Sequence, residues 1–157
     1  MSPIRRWGPV LVWAAVIWTF STQWFTSANT AGIIEPALHW LFPSLTPATL
    51  DFIHHIIRKC GHLTEYFIFG LLVLRAIRGG SPRLRLAWAL AAIGTAAVYA
   101  SLDEFHQSFV PGRTASVYDV MLDTAGGTLA IIVAALFALR LHQGDGREKN
   151  ENNLGEQ

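Results

Sequence analysis

Charge and cysteine are both scarce in this sequence. Only 15% of its 157 residues are charged and the net charge is +1, so the chain has no broad basic surface for nucleic acid, and it carries no nucleic-acid-binding motif. The single cysteine, Cys60, excludes an intrachain disulfide and any cysteine-rich metal site. Nucleic-acid partners and a disulfide-stabilised fold are therefore not expected.

Hydrophobic residues are abundant instead, and they are concentrated in runs. They make up 52% of the chain, which is typical of an integral membrane protein. Runs long enough to cross a bilayer predict spans at about residues 9–25, 59–78, 86–102 and 117–139. The first run is too long for a signal-peptide core and precedes no small-residue cleavage site, so it is expected to remain as an anchor.

The segment between the first two spans is broken by Pro36, Pro43 and Pro47. Thr46 followed by Pro47 is typical of a helix start, and the apolar stripe after it suits a helix that lies on the membrane surface. The predicted fold is an all-α membrane protein, a four-transmembrane-helix bundle with short interfacial helices between spans one and two. This membrane domain covers residues 1–141, and the polar residues 142–157 predict a disordered cytoplasmic tail.

Two local patterns mark the fourth span. Ser116 with Asp119 three residues later is a capping-box pattern that predicts the start of the helix. Gly126 and Gly127 permit a close helix–helix contact further along it.

The distribution of lysine and arginine predicts the orientation. With four spans and the N-terminus inside, nine of the twelve basic residues lie on the cytoplasmic side. The opposite orientation reverses this ratio. Both termini are therefore predicted to be cytoplasmic.

Polar and ionisable side chains then collect at the extracytoplasmic ends of all four spans. At about 100° per residue, Lys59, His62 and Tyr66 share one helix face, and Asp119 and Asp123 share another. Ionisable groups at this depth are costly when they face lipid, so these faces are expected to point into the bundle. The full set is Gln23, Lys59, His62, Glu65, Tyr66, Asp103, Glu104, His106, Gln107, Arg113, Asp119 and Asp123.

Three interpretations of this polar set remain open: a solvated loop end, a buried hydrogen-bond and ion-pair network that locks the bundle, and a ligand or catalytic site. For catalysis, His62 or His106 is a candidate general base oriented by Asp103 or Glu104, which is the arrangement that hydrolytic and transfer chemistry needs. The catalytic candidates are these four residues.

A metal site made from histidines and carboxylates is disfavoured. No H-E-x-x-H or Glu-x-x-His run is present, and two cations, Lys59 and Arg113, lie in the same set. Neither a metal nor a cofactor is predicted.

The sequence resembles the VanZ-like family of small bacterial integral membrane proteins, relatives of a teicoplanin-resistance protein. The resemblance covers roughly residues 20–139 and includes a polar S-x-Q segment at Ser21. One departure is Asp123, which stands where the family pattern has asparagine. The matching positions are Lys59, His62, Tyr66, Asp103, Glu104, Gln107, Pro111, Arg113, Asp119 and Gly127.

The resemblance implies a protein of the bacterial cytoplasmic membrane and cell envelope that is linked to lipoglycopeptide (teicoplanin-type) resistance. We expect its extracytoplasmic polar pocket to bind a lipid-linked envelope precursor, a lipoglycopeptide or another amphipathic envelope component. Two alternatives stay open: a membrane-embedded hydrolase or transferase that acts on an envelope lipid, and a structural polar lock in a partner-binding membrane protein. The expected ligand-binding residues are Gln23, Lys59, Glu65, Tyr66, Gln107, Arg113, Asp119 and Asp123.

Overall fold

The structure, a computed structural model, describes residues 2–22, 27–81 and 84–155. All regular secondary structure in these ranges is helical, which confirms the all-α prediction. Three helices are long and apolar enough to cross a membrane: residues Pro47–Arg78, Leu86–Gln107 and Val117–Arg140. The five helices are α1 (Pro3–Phe20), α2 (Ser27–Leu41), α3 (Pro47–Arg78), α4 (Leu86–Gln107) and α5 (Val117–Gly155).

Helix α1 is not among the three helices long and apolar enough to cross a membrane. It is 18 residues long and includes Arg5 and Arg6, which lower its mean hydropathy. The helix ends at Phe20, earlier than the predicted residue 25. The amide of Thr22 donates to the carbonyl of Thr19, three residues back, and this bond tightens the last turn. The predicted first span, at about residues 9–25, therefore stays a prediction.

The expectation of a separate surface helix between Pro47 and the second span is wrong, because this segment is part of α3. Thr46 is the N-cap as predicted, with its hydroxyl accepting from the amide of Thr49 at 3.3 Å, and Pro47 lies in the first turn. The helix then continues for 32 residues to Arg78. No proline interrupts it after the first turn, and its two glycines, Gly61 and Gly70, each cost only about 1 kcal/mol of helix propensity, which is too little to end a helix. Among the described residues, α2 is the only separate helix between the first two predicted spans.

The start of α5 agrees with the prediction at Val117, but its cap differs. The hydroxyl of Ser116 accepts from the amide of Tyr118 at 3.2 Å. The carboxylate of Asp119 does not accept from the amide of Ser116 to complete a capping box, because it forms an ion pair with Lys59. Glu104 takes its place by accepting from the amide of Ser116 at 2.8 Å.

Helix α5 continues to Gly155, through the segment for which composition predicts disorder. The apolar span itself ends at Arg140, close to the predicted residue 139. Beyond it there is no proline, and extending an existing helix adds a hydrogen bond per residue without a new nucleation cost.

Small residues bring α3, α4 and α5 into close contact, as the Gly-Gly pair predicts. A Cβ at Gly126 would lie 2.6 Å from the carbonyl oxygen of Leu63 on α3, and one at Gly127 would lie 2.8 Å from Cβ of Ala96 on α4. Gly70 on α3 has the same role, because its Cβ would lie 2.8 Å from the carbonyl oxygen of Gly127. Backbones can approach this closely only where side chains are absent or minimal.

Helix α1 packs lengthwise against α3 and runs antiparallel to it. Near its start, the guanidinium of Arg6 donates to the carbonyl of Ala76 at 2.7 and 3.0 Å. Two turns later, the indole of Trp13 donates to the carbonyl of Glu65 at 2.9 Å. These contacts bring the end of α1 to the polar middle of α3 and the polar end of α4.

Candidate functional site

The carboxylate of Asp103 accepts hydrogen bonds at both of its oxygens and is fully buried in the last turns of α4. Ser21, just after α1, donates to one of its oxygens at 2.5 Å. Gln107, one turn further along α4, donates to the other at 3.0 Å and also lies 3.3 Å from the hydroxyl of Ser21. Both oxygens therefore have fixed partners, and the carboxylate is held in one orientation.

Arg113 extends this network from the loop between α4 and α5. Its guanidinium donates to the side-chain oxygen of Gln107 at 2.9 Å and to the carbonyl of Phe20 at 2.5 Å. Burial and the neighbouring Arg58 lower the pKa of Arg113, but an arginine remains protonated in proteins. A permanent positive charge therefore links the end of α1 to the end of α4.

Asp123 on α5 is fully buried and faces His62 on α3. Nδ1 of His62 lies 3.5 Å from one carboxylate oxygen of Asp123. Neither oxygen of Asp123 accepts a hydrogen bond within the described part of the chain, and Nδ1 of His62 also makes none. His62, Asp103 and Asp123 each offer one ligand atom, and these three atoms lie within 4.8 Å of one another.

A second charged pair closes the site toward solvent. Lys59 and Asp119 form an ion pair whose side chains are 32% and 23% exposed. Because both side chains are partly exposed, water screens the pair, and it is expected to contribute only about 0–1 kcal/mol to stability.

Between these groups lies a small polar cleft of about 150 Å³. Its lining is mostly basic and polar: His55, Arg58, Lys59, His62, Gln107, Gly112, Arg113, Thr114 and Asp119. Beside it, α3 and α5 form an apolar groove of about 680 Å³. The groove is lined by Leu63, Val120, Met121, Thr124, Ala125, Thr128, Leu129 and Ile132.

The structure brings most of the expected site residues together, and the remainder lie apart from the cleft or outside the described ranges. His106 stacks on Trp18 of α1, with ring centroids 3.9 Å apart. Tyr66 is fully buried beside Phe69, and its hydroxyl has no hydrogen-bond partner among the described residues. Gln23 lies outside the described residues. The residues that share the polar network or the cleft are Lys59, His62, Asp103, Gln107, Arg113, Asp119 and Asp123.

Three residues of this region were absent from the expected set. Ser21 holds Asp103, and its only signal in the sequence is the S-x-Q segment. His55 and Arg58 line the cleft. Helical spacing of three and four residues places both in line with His62, so an extension of the polar stripe by two turns would have found them.

Comparison with known proteins agrees with the motif resemblance. A family model described as VanZ/LLP1 matches residues 7–138. No curated protein and no solved structure matches the chain.

Proposed function

Because the chain belongs to the VanZ/LLP1 family, we propose that this membrane protein binds an amphipathic lipid of the bacterial envelope, with the anionic head group in the polar cleft. The observation that carries the proposal is the position of the cleft beside an apolar groove. Leu63 of the groove follows His62 of the cleft, and Val120 of the groove follows Asp119 of the cleft. A ligand with a charged head and an apolar tail matches both surfaces.

The chemistry of the cleft favours an anion. Arg58, Lys59 and Arg113 all line it, whereas Asp119 is the only carboxylate in its lining and is paired with Lys59. A guanidinium can donate two parallel hydrogen bonds to a phosphate or carboxylate. A phosphate-bearing lipid, such as a lipid-linked envelope precursor, is therefore the preferred ligand class.

We further propose that α1 is a fourth span, so that the cleft opens on the extracytoplasmic side. This proposal is supported by contacts at both ends of α1. Arg6 contacts Ala76 of α3 near the start of the helix, and Ser21 contacts Asp103 of α4 just after its end. Helix α1 therefore lies along the whole apolar part of α3 and α4. Leu11 and Val12 on α1 are 68% and 66% exposed, as expected of side chains that face lipid. The distribution of basic residues then predicts cytoplasmic termini.

The binding test uses a labelled polyprenyl phosphate and the purified protein in detergent. Thr114 is an exposed residue of the cleft lining. Replacing it in Thr114→Trp fills the cleft without removing any charge, and we expect binding to weaken at least about 10-fold. Arg113→Ala removes a charge-assisted hydrogen bond, so a loss of about 10- to 100-fold is expected. Arg75→Ala, at the opposite end of α3, is the matched control and should bind like the wild type. Equal affinity in all four proteins would show that the cleft is not the binding site.

Lipoglycopeptide resistance follows in this proposal from binding or remodelling an envelope lipid. Expression of the wild-type chain in a susceptible host should raise the minimum inhibitory concentration of teicoplanin, and Thr114→Trp should abolish the increase. Resistance that persists in Thr114→Trp would separate the phenotype from the cleft.

A second candidate function is a hydrolase or transferase that acts on the same class of lipid. The specific observation in its favour is the pair formed by His62 and Asp123, 3.5 Å apart, because a carboxylate orients a histidine that acts as general base. His62 is the preferred base in this scheme, since His106 is stacked on Trp18. Conversion of a labelled lipid by the wild type and its loss in His62→Gln would support an enzyme, and binding without any product would exclude this class.

A further inference from the structure

Asp123 is the least satisfied charged group in the described part of the chain. It is fully buried, and neither carboxylate oxygen accepts a hydrogen bond there. The lysine and arginine nearby are engaged elsewhere, because Lys59 pairs with Asp119 and Arg113 donates to Gln107 and Phe20. His62 pairs with Asp123 as an ion only when it is protonated, and a neutral imidazole leaves the carboxylate without a counter-charge. Burying an ionised carboxylate is costly unless it is paired or coordinates a metal. Asp123 therefore needs a positively charged partner in the space it faces.

That space is bounded by two further ligand-type groups. Nδ1 of His62 lies 3.5 Å from a carboxylate oxygen of Asp123. One ligand atom from each of His62, Asp103 and Asp123 also lies within 4.8 Å of the other two. Two nitrogen or oxygen ligands at about 2.0–2.2 Å from a tetrahedral ion lie about 3.3–3.6 Å apart, so the pair formed by His62 and Asp123 already has the spacing of a metal-ligand edge. Bringing the ligand atom of Asp103 to the same spacing from the other two atoms requires a shift of about 1 Å.

The surroundings of Asp103 match the second shell of a metal site. Ser21 and Gln107 donate to its two oxygens at 2.5 and 3.0 Å, and Arg113 in turn fixes Gln107 at 2.9 Å. Hydrogen bonds of this kind hold a carboxylate ligand in one orientation and leave further lone pairs for the metal. Tyr66, one turn after His62, adds a buried hydroxyl that has no partner among the described residues and that a metal-bound water can satisfy.

We propose that His62, Asp103 and Asp123 bind one divalent transition-metal ion, with zinc as the preferred ion. One histidine with two carboxylates gives three protein ligands, which leaves a coordination position for water or an oxygen of a bound ligand. His62 also lines the polar cleft, so this open position lies at the edge of the cleft. The site stands independently of the lipid proposal, because it is built from contacts that do not involve the cleft's arginines directly.

The test measures zinc on the full-length protein in detergent. The protein is prepared without a histidine tag and with Cys60→Ser, so that the exposed thiol contributes no metal. It is stripped with EDTA, loaded with Zn²⁺, Mn²⁺ or Mg²⁺ alone, desalted and analysed by inductively coupled plasma mass spectrometry. We expect about one zinc per chain and a rise in Tm of about 5–10 °C at a 100-fold excess over Kd.

Asp123→Asn and His62→Gln should each bind zinc at least about 100-fold more weakly, and Ser21→Ala should bind it about 10- to 100-fold more weakly. Asp51→Asn is the control, since Asp51 is an exposed carboxylate on α3 outside the set of three, and it should retain the metal. Without metal, Asp123→Asn should be at least as stable as the stripped wild type, because it removes a buried charge. This comparison identifies a variant that merely fails to fold.

Wild-type protein that keeps no zinc after desalting would overturn the proposal, as would equal zinc content in the wild type, Asp123→Asn and His62→Gln. The polyprenyl phosphate assay is run on the same stripped and loaded samples. A wild type that binds lipid but no zinc refutes the metal site alone, and one that binds zinc but no lipid refutes only the proposed function.

Discussion

Gly126 sets the distance between α3 and α5, and Gly126→Ala tests this directly. The added Cβ would lie 2.6 Å from the carbonyl oxygen of Leu63 and 3.3 Å from its carbonyl carbon and Cα. These are backbone atoms of α3, so they cannot rotate away as a side chain can. Restoring an ordinary contact of 3.4 Å requires the two helices to separate by about 0.8 Å at this point.

The expected cost is that of overpacking, about 1–3 kcal/mol. Alanine also has the better helix propensity, which offsets about 1 kcal/mol of this cost. Gly94→Ala on α4 has the same propensity gain, but a Cβ there meets nothing within 4 Å, so the difference between the two variants isolates the overpacking. At about 2–4 °C per kcal/mol for a chain of this size, Gly126→Ala should melt about 2–12 °C below Gly94→Ala.

The assay is thermal unfolding in detergent, followed by the intrinsic fluorescence of the six tryptophans. The same separation also widens the gap between His62 and Asp123, because Leu63 follows His62 and Gly126 is three residues after Asp123. Gly126→Ala should therefore retain less zinc than Gly94→Ala. Equal melting temperatures for the two variants would refute the close packing of α3 and α5.

Three further predictions concern α1, the exposed ion pair and the topology. Arg6→Ala removes hydrogen bonds from a charged donor to a backbone carbonyl and should lower the free energy of unfolding by about 1.5–3 kcal/mol, measured by thermal unfolding. Arg5→Ala should change the free energy of unfolding little. Asp119→Asn breaks the partly exposed ion pair with Lys59 and should lower Tm by less than about 4 °C. A larger fall in Tm would contradict the weak contribution of this ion pair to stability. With the native thiol removed, a cysteine at Ser108 should react with an impermeant maleimide on whole cells and one at Ser81 should not, and the reverse pattern would invert the orientation.

Much of the helical architecture is predictable from the sequence because its signals are local. Thr46 with Pro47, and Ser116 ahead of Val117, mark helix starts through interactions within a few residues. The continuity of α3 was not predicted. The change from an amphipathic to an apolar stretch resembles a boundary between two helices, although neither Arg58 nor Lys59 is a residue that ends a helix.

The grouping of the polar residues is also predictable, since helical spacing and charge place them at one depth. Their partners are not. Asp119 has the right position to cap α5, yet it pairs with Lys59, and Glu104 from another helix accepts the amide of Ser116. Asp123 is paired with His62 only because α3 and α5 approach closely. Such choices depend on the relative placement of helices, about which periodicity within one helix says nothing.

If the polar cleft holds the head group of an envelope lipid, that lipid should stay bound when the protein is purified. It can be detected by native mass spectrometry of the protein released from detergent, with Arg113→Ala and Arg75→Ala prepared in parallel. One phosphate-bearing lipid should remain bound to the wild type and to Arg75→Ala and should be lost from Arg113→Ala. Wild-type protein that carries no lipid, or the same lipid in the same amount on Arg113→Ala, would contradict this proposal.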